Sequence, residues 1–131
     1  KQGPFGRNIN PSKSIRNTLH QHKLKTPVVM AGGIFNFRQA EDVLKKDQAD
    51  IIGFARQSLA DPDWFEKVRL GLGKEVRLCL YSNYCEGLDQ KHKQVTCELW
   101  DRENLDSPNL AKSIDGRRRL IAPEWEKPNP N

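Results

Sequence analysis

Residues 26–62, TPVVMAGGIFNFRQAEDVLKKDQADIIGFARQSLADP, decide how the rest of the chain is read. They hold two short apolar runs, Val28-Val29-Met30-Ala31 and Ile51-Ile52-Gly53-Phe54, with a helix-period segment between them. Short, continuous apolar runs mark strands buried on both faces, so the order strand, helix, strand predicts a parallel β-α-β unit. Each run ends in small residues. That is the edge at which ligands dock on parallel-sheet folds.

Within this unit, Pro27 sits near the start of a first strand expected over residues 26–31, where a missing N–H costs least. Gly32 and Gly33 follow. Asn36 is placed to cap the next helix, with Gln39 as its capping-box partner. Phe37, Ala40, Val43 and Leu44 make the apolar face of that helix, and Arg38, Glu41, Lys45 and Lys46 the polar one. A second strand is expected over residues 49–55, with Arg56 directly after it. Residues 57–60 suit one helical turn. Asp61 as N-cap and Pro62 at the first position predict a further helix. Trp64, Phe65, Val68 and Leu72 would be its buried face, and Gly71 and Gly73 its end.

On the N-terminal side, Gly3, Pro4, Gly6 and Pro11 predict a loop. Ser12 or Ser14 would cap a helix to about His22, with Ile15 and Leu19 on one face. His20 and His22 stand two apart and point to different faces, which argues against a metal pair. Beyond Gly73 the character changes. Residues 76–81 are short and apolar, Cys79, Cys85 and Cys97 fall among polar residues, and from Asp101 the chain is rich in Asn, Asp, Pro and Arg. That tail is expected to be irregular, wrapping a partner surface or disordered.

The length of 131 residues allows one ordinary domain, and 30% charged residues leave only a modest core. The net charge of +5 admits nucleic-acid or phosphate partners. The basic residues are scattered except at Arg117-Arg118-Arg119, so a solvated surface is the preferred reading of the charge. No apolar run approaches the ~20 residues of a membrane span. Three cysteines in such a chain argue against a disulfide framework. With Lys1 first, the chain is expected to be a piece of something longer.

Two features point to chemistry. Gly32-Gly33 has no Cβ to block a ligand at a strand end. Ala55-Arg56 ends the next strand and offers a planar, permanently charged donor. Phosphates commonly sit at the ends of strands 7 and 8 of (β/α)8 barrels, near a short extra helix. Two consecutive strand ends and a short helix here match that arrangement, and phosphate binding is the better reading.

The segments PVVMAGGI (27–34), ADIIGFARQSLADPDW (49–64) and the cysteine region after KEVRLC (74–79) resemble the C-terminal part of the Old Yellow Enzyme family of NADH:flavin oxidoreductases. The subgroup resembled is that of 2,4-dienoyl-CoA reductase and trimethylamine dehydrogenase, over about residues 26–97. The resemblance implies an α/β fold, about strands 7 and 8 of a (β/α)8 TIM barrel, with an irregular C-terminal extension. Residues 1–73 would be a partial barrel holding the FMN phosphate, and 74–131 a cysteine-containing extension. Gly32 and Gly33 would lie at the strand 7 loop. Ala55 and Arg56 would replace the family's Gly-Arg pair at strand 8.

Iron–sulfur members of the family carry four cysteines in this region. Here Cys79, Cys85 and Cys97 are present and Ser82 stands at the remaining position. An iron–sulfur cluster, zinc held with His92, and free thiols are all open readings. The implied parent is a cytoplasmic FMN oxidoreductase that passes hydride from NAD(P)H to an electrophilic alkene or similar acceptor. The family's flavin-ring contacts, substrate-anchoring His and catalytic Tyr come from earlier strands, so no catalytic residue is assigned. Tyr81 and Tyr84 are not taken as proton donors. The implied partners are NAD(P)H, the acceptor and the remainder of the barrel, without a membrane. Alone, the chain would expose a broken sheet edge and be inactive. The alternatives are a basic phosphate- or nucleic-acid-binding module without redox activity, and a barrel piece with only a structural role.

Overall fold

A computed structural model of the chain describes residues 5–128. The chain forms two compact units, Lys1–Ala55 and Arg56–Asn131. In the first, helix α1 (Ile9–Gln21) precedes strand β1 (Val29–Ala31), helix α2 (Phe37–Lys45) and strand β2 (Ile51–Gly53). The strands pair in parallel, with Val29 opposite Ile51, Met30 opposite Ile52 and Ala31 opposite Gly53. The predicted β-α-β unit is therefore present, though its strands are shorter than expected. Pro27 has no N–H for a ladder. The Asp50 carboxylate takes the Val28 N–H at 2.8 Å and the Arg16 guanidinium at 2.9 Å, closing the pairing with a side chain.

Met30, Ile34, Ala40, Val43 and Ala49 are buried together, with Ile9, Ile52 and Phe54 packed against them. On the other side of the sheet, the register partners Val29 and Ile51 are 58% and 50% exposed. The strands are thus covered on one face, not both. The cap of α2 forms as predicted: Asn36 Oδ1 accepts the Gln39 N–H at 2.9 Å, and Gln39 Oε1 reaches back to the Phe35 N–H at 3.0 Å. Helix α1 starts earlier than the serine caps suggest. Asn8 occupies its N-cap but donates its amide to the Ala31 carbonyl (2.6 Å), tying the helix start to the strand end. Ile9 faces the core, whereas Ile15 is exposed.

The second unit holds helices α3 (Arg56–Ala60), α4 (Trp64–Arg69) and α5 (Tyr84–Asp89), with a 3-10 turn at Gly73–Glu75. Asp63, not Asp61, occupies the N-cap position of α4, although Asp61 Oδ1 accepts the Asp63 N–H at 3.2 Å. Asp61 is fully buried, and its Oδ2 accepts from Lys67 Nζ and the Arg77 N–H, both at 2.8 Å. Lys67, only 2% exposed, therefore takes the inward position beside Trp64, and Phe65 turns to solvent, contrary to its predicted burial. Ala60, Cys97 and Trp100 form a small core with Leu59, Cys79, Leu99 and Ala122.

The tail is irregular, as expected, and is hydrogen-bonded to its own unit. Arg118 and Arg119 are buried. Arg119 donates to the Ile121 carbonyl (2.7 Å) and Arg118 to Gln94 O and Thr96 Oγ1. Trp125 Nε1 donates to Glu75 Oε2 at 3.0 Å, and Lys127 to Glu66 Oε1 at 2.7 Å. Among the described residues no helix is long and apolar enough to cross a membrane.

Hydrogen bonds from Arg69 first, and then Lys127, hold the Glu66 carboxyl down to about 2 from its ordinary 4.5. A depressed carboxylate contributes its stability above the unfolded value and loses it as pH falls through the folded value. Trp125 fluorescence is therefore expected to hold steady above pH 4.5 and to change between 4.5 and about 2 as the tail contact weakens. Glu66→Gln should move that change. A transition unaltered in the variant would refute the assignment.

Candidate functional site

The ends of β1 and β2 lie side by side because the strands are parallel and in register. After β1 the chain turns through Gly32 (φ +90°) and Gly33 (φ +76°), a conformation that other L-residues rarely adopt. A Cβ on Gly32 would come within 2.8 Å of the Asn8 amide nitrogen, which is itself held on Ala31 O. The Gly33 carbonyl accepts the Gly6 N–H at 2.8 Å. Only glycine fits at Gly32, and the turn leaves bare backbone at a strand end. At Gly53 a Cβ would meet the Ala31 methyl at 3.1 Å, so small residues also let the two strand ends approach. Phe54 packs back on the core, and Ala55 is exposed at the end of the unit.

In the second unit, Arg56 opens α3. Its guanidinium lies over the Tyr81 ring, 4.6 Å from the centroid, and Nη1 donates to Asn83 Oδ1 at 3.1 Å. Among the described residues it has no carboxylate partner, so a permanent charge stands without an anion. Tyr81 (φ +54°) and Asn83 (φ +63°) are both left-handed, and Arg56 holds both. Such a backbone costs about 1–2 kcal/mol per residue and persists only where contacts enforce it.

The same loop carries the cysteines. Cys79, Cys85 and Cys97 border one small cavity together with Arg56 and Ser82. Burial pushes the Cys79 and Cys97 thiols up, outweighing N–H donation to each sulfur from Tyr81 and Leu99. Gln57, which sequence reasoning left as an ordinary helical residue, positions this loop. Its buried side chain donates to the Arg77 carbonyl (2.9 Å) and accepts the Cys79 N–H (3.0 Å). No sequence signal sets it apart, since Arg56 and Ser58 on either side are polar too. Tyr84 donates to the buried Asp101 at 2.8 Å.

The cysteines do not fit a metal centre. A cluster needs four thiolates, and Ser82 supplies none. Among the described residues no three His, Cys, Asp or Glu side chains stand close enough to hold an ion. His92 borders a different cavity.

Residues 3–75 match the model of the NADH:flavin oxidoreductase / NADH oxidase family. A bilirubin reductase of Mediterraneibacter gnavus is 35% identical over 96 residues, 72% of this chain and 15% of that protein. An NADH oxidase of Thermoanaerobacter brockii is 33% identical over 57 residues, 44% of this chain and 9% of that one. A solved complex of 2-naphthoyl-CoA reductase superposes with a TM-score of 0.65 at 20% identity, over 84% of this chain and 17% of that one, a likeness of fold. The chain spans less than a fifth of each of these proteins.

The raised Cys79 and Cys97 thiols stay protonated at pH 8, so alkylation by iodoacetamide is expected to be slow there. It should accelerate only above the ordinary thiol value of 9.0. Gln57→Ala, which frees the Cys79 strand, should raise the Cys79 rate roughly tenfold. Mass spectrometry of the modified peptides separates the sites. Equal rates in variant and parent would show that Gln57 does not position the loop.

Proposed function

This chain belongs to the NADH:flavin oxidoreductase / NADH oxidase family, and from that membership we propose that it forms the FMN-phosphate end of an FMN-dependent NAD(P)H oxidoreductase. The observation that carries the reading is Arg56. It opens α3 three residues after the end of β2, is half-buried, and has no carboxylate partner among the described residues. Gly32 and Gly33 serve as backbone that a phosphate approaches without meeting a side chain. Ala55 is small enough to keep the neighbouring strand end open. Arg56 supplies the charge.

In this reading β1 and β2 are about strands 7 and 8 of a (β/α)8 barrel of roughly 250 residues. Residues 1–73 are barrel and 74–131 an extension. The exposed face that carries Val29 and Ile51 is then the barrel's interior side, covered by strands contributed by the remainder of the barrel. FMN, when bound, supplies hydride-transfer chemistry between NAD(P)H and an electrophilic alkene or similar acceptor. The residues of this chain bind and orient the phosphate end, and none of them is assigned to proton transfer. The cysteine loop acts as structure around Arg56. A nucleic-acid-binding role is disfavoured because Arg118 and Arg119, the centre of the basic tract, are buried and not displayed on the surface.

In the intact parent enzyme, Arg56→Ala is expected to weaken FMN binding about tenfold or more, since a charge-assisted hydrogen bond contributes ~1.5–3 kcal/mol. Arg56→Lys should retain part of the affinity. Flavin fluorescence titration reads both. Unchanged affinity in Arg56→Ala would overturn the phosphate assignment.

A further inference from the structure

A cavity within the second unit is lined by neither Arg56 nor the cysteines. It measures about 520 Å³, within the range of small-molecule sites. One wall is His92, Lys93 and Gln94, directly after α5. The other is the turn through Ser113, Ile114 and Asp115, closed by Arg118. The turn is tightly built. Ser113 N donates to Arg118 O at 2.8 Å, Gly116 N to Ser113 O at 2.8 Å, and Arg118 N to Ser113 Oγ at 3.1 Å.

Arg118 is the telling group. It is 8% exposed, and one end of its guanidinium is fixed by Nη1 donation to Gln94 O (2.9 Å) and Thr96 Oγ1 (2.7 Å). Nε and Nη2 make no hydrogen bond among the described residues. Neither is sealed from solvent, since the only fully enclosed unpartnered side-chain atom among these residues is Asp101 Oδ1. Arg118 borders this cavity, so these N–H groups have it as their opening. Lys93, on the facing wall, forms no ion pair among the described residues. Asp115 is the one carboxylate at the cavity. Its Oδ1 already accepts from Ser113 Oγ (2.6 Å) and Arg117 N (3.1 Å). Two cations thus face one engaged carboxylate. Ile114 is fully exposed at the rim.

From this geometry we propose that the cavity binds an organic oxyanion, a carboxylate or phosphate head on an apolar body. The head docks on the free guanidinium edge of Arg118 with Lys93 as second donor, and the body covers Ile114. A fixed guanidinium fork matches the paired oxygens of either head group. The cavity exceeds what a bare inorganic ion fills, and the exposed isoleucine supplies the surface an organic body would bury. This site is separate from the flavin reading and stands or falls without it.

The test is calorimetric titration of the purified chain with phenyl phosphate, benzoate and inorganic phosphate. Phenyl phosphate or benzoate is expected to bind with Kd on the order of 1 mM or tighter, and inorganic phosphate about fivefold or more weakly. Whichever organic probe binds more tightly identifies the head group. Arg118→Gln should abolish binding, but it also removes the bonds to Gln94 and Thr96 and endangers folding. Lys93→Gln and Ile114→Ser, both at the rim and outside the bonds of the turn, decide the matter. They should weaken the better probe by about tenfold and about fivefold. Absence of binding by both organic probes to the folded chain overturns the proposal. So does binding that neither rim variant weakens.

Discussion

Parallel strands cannot be joined by a tight turn; they need a crossover, here a helix. That constraint organises the first unit. Val29–Ala31 and Ile51–Gly53 run the same way, so the chain must return along α2 before the second strand begins. Both strands then finish on the same edge of the sheet. Gly32-Gly33 leaves one strand there, and Phe54 and Ala55 leave the other. The contacts that support the pair are few: the Asn8 amide on the Ala31 carbonyl, the Gly6 backbone N–H on the Gly33 carbonyl, and Asp50 bridging Val28 and Arg16 at the opposite end.

The second unit is held differently. Its apolar core is small, and buried polar groups do much of the positioning. Asp61 is enclosed by Lys67 and the backbone of Arg77, and Gln57 clasps the same segment at Arg77 and at Cys79, two residues later. Asp101 takes the hydroxyls of Tyr84 and Thr96, while Arg118 braces Thr96 from the other side. Removing one partner from a buried ion pair typically costs about 3–5 kcal/mol, because the other charge is left without compensation. Such networks specify geometry more sharply than an apolar core of this size could. They bring segments distant in sequence, around residues 57, 79, 97 and 118, into fixed positions.

This division bears on function. The family assignment rests on residues 3–75, which include the whole parallel pair and its ends. Arg56 opens the second unit and is also the partner of Tyr81 and Asn83 in the cysteine loop. A group proposed to meet phosphate is therefore held by the loop that carries the cysteines. Burial raises the thiols of half-buried Cys79 and buried Cys97, both packed in the small core with Trp100.

Much of the first unit was legible in the order of residues alone. Apolar runs, a helical period and an Asn-x-x-Gln cap are local signals, and each acts over a few residues, so reading them needs no knowledge of the fold. The paired glycines were legible for the same reason: a left-handed turn admits little else. The second unit resisted that reading. Asp61 before Pro62 carries every mark of a helix cap, and its Oδ1 does accept the Asp63 N–H, yet its Oδ2 is taken by Lys67 and by Arg77, sixteen positions on. Phe65 and Lys67 exchange their expected places because a buried carboxylate draws the ammonium inward. Arg117-Arg118-Arg119 reads as a surface tract until Gln94, Thr96, Glu103 and Ile121 arrive to accept its hydrogen bonds. The sequence by itself determined the β-α-β unit, its glycine turn and the family. Only the tertiary structure decided which charges are interior and what Arg56 and Arg118 face, because a buried charge is settled by partners far along the chain and not by its neighbours.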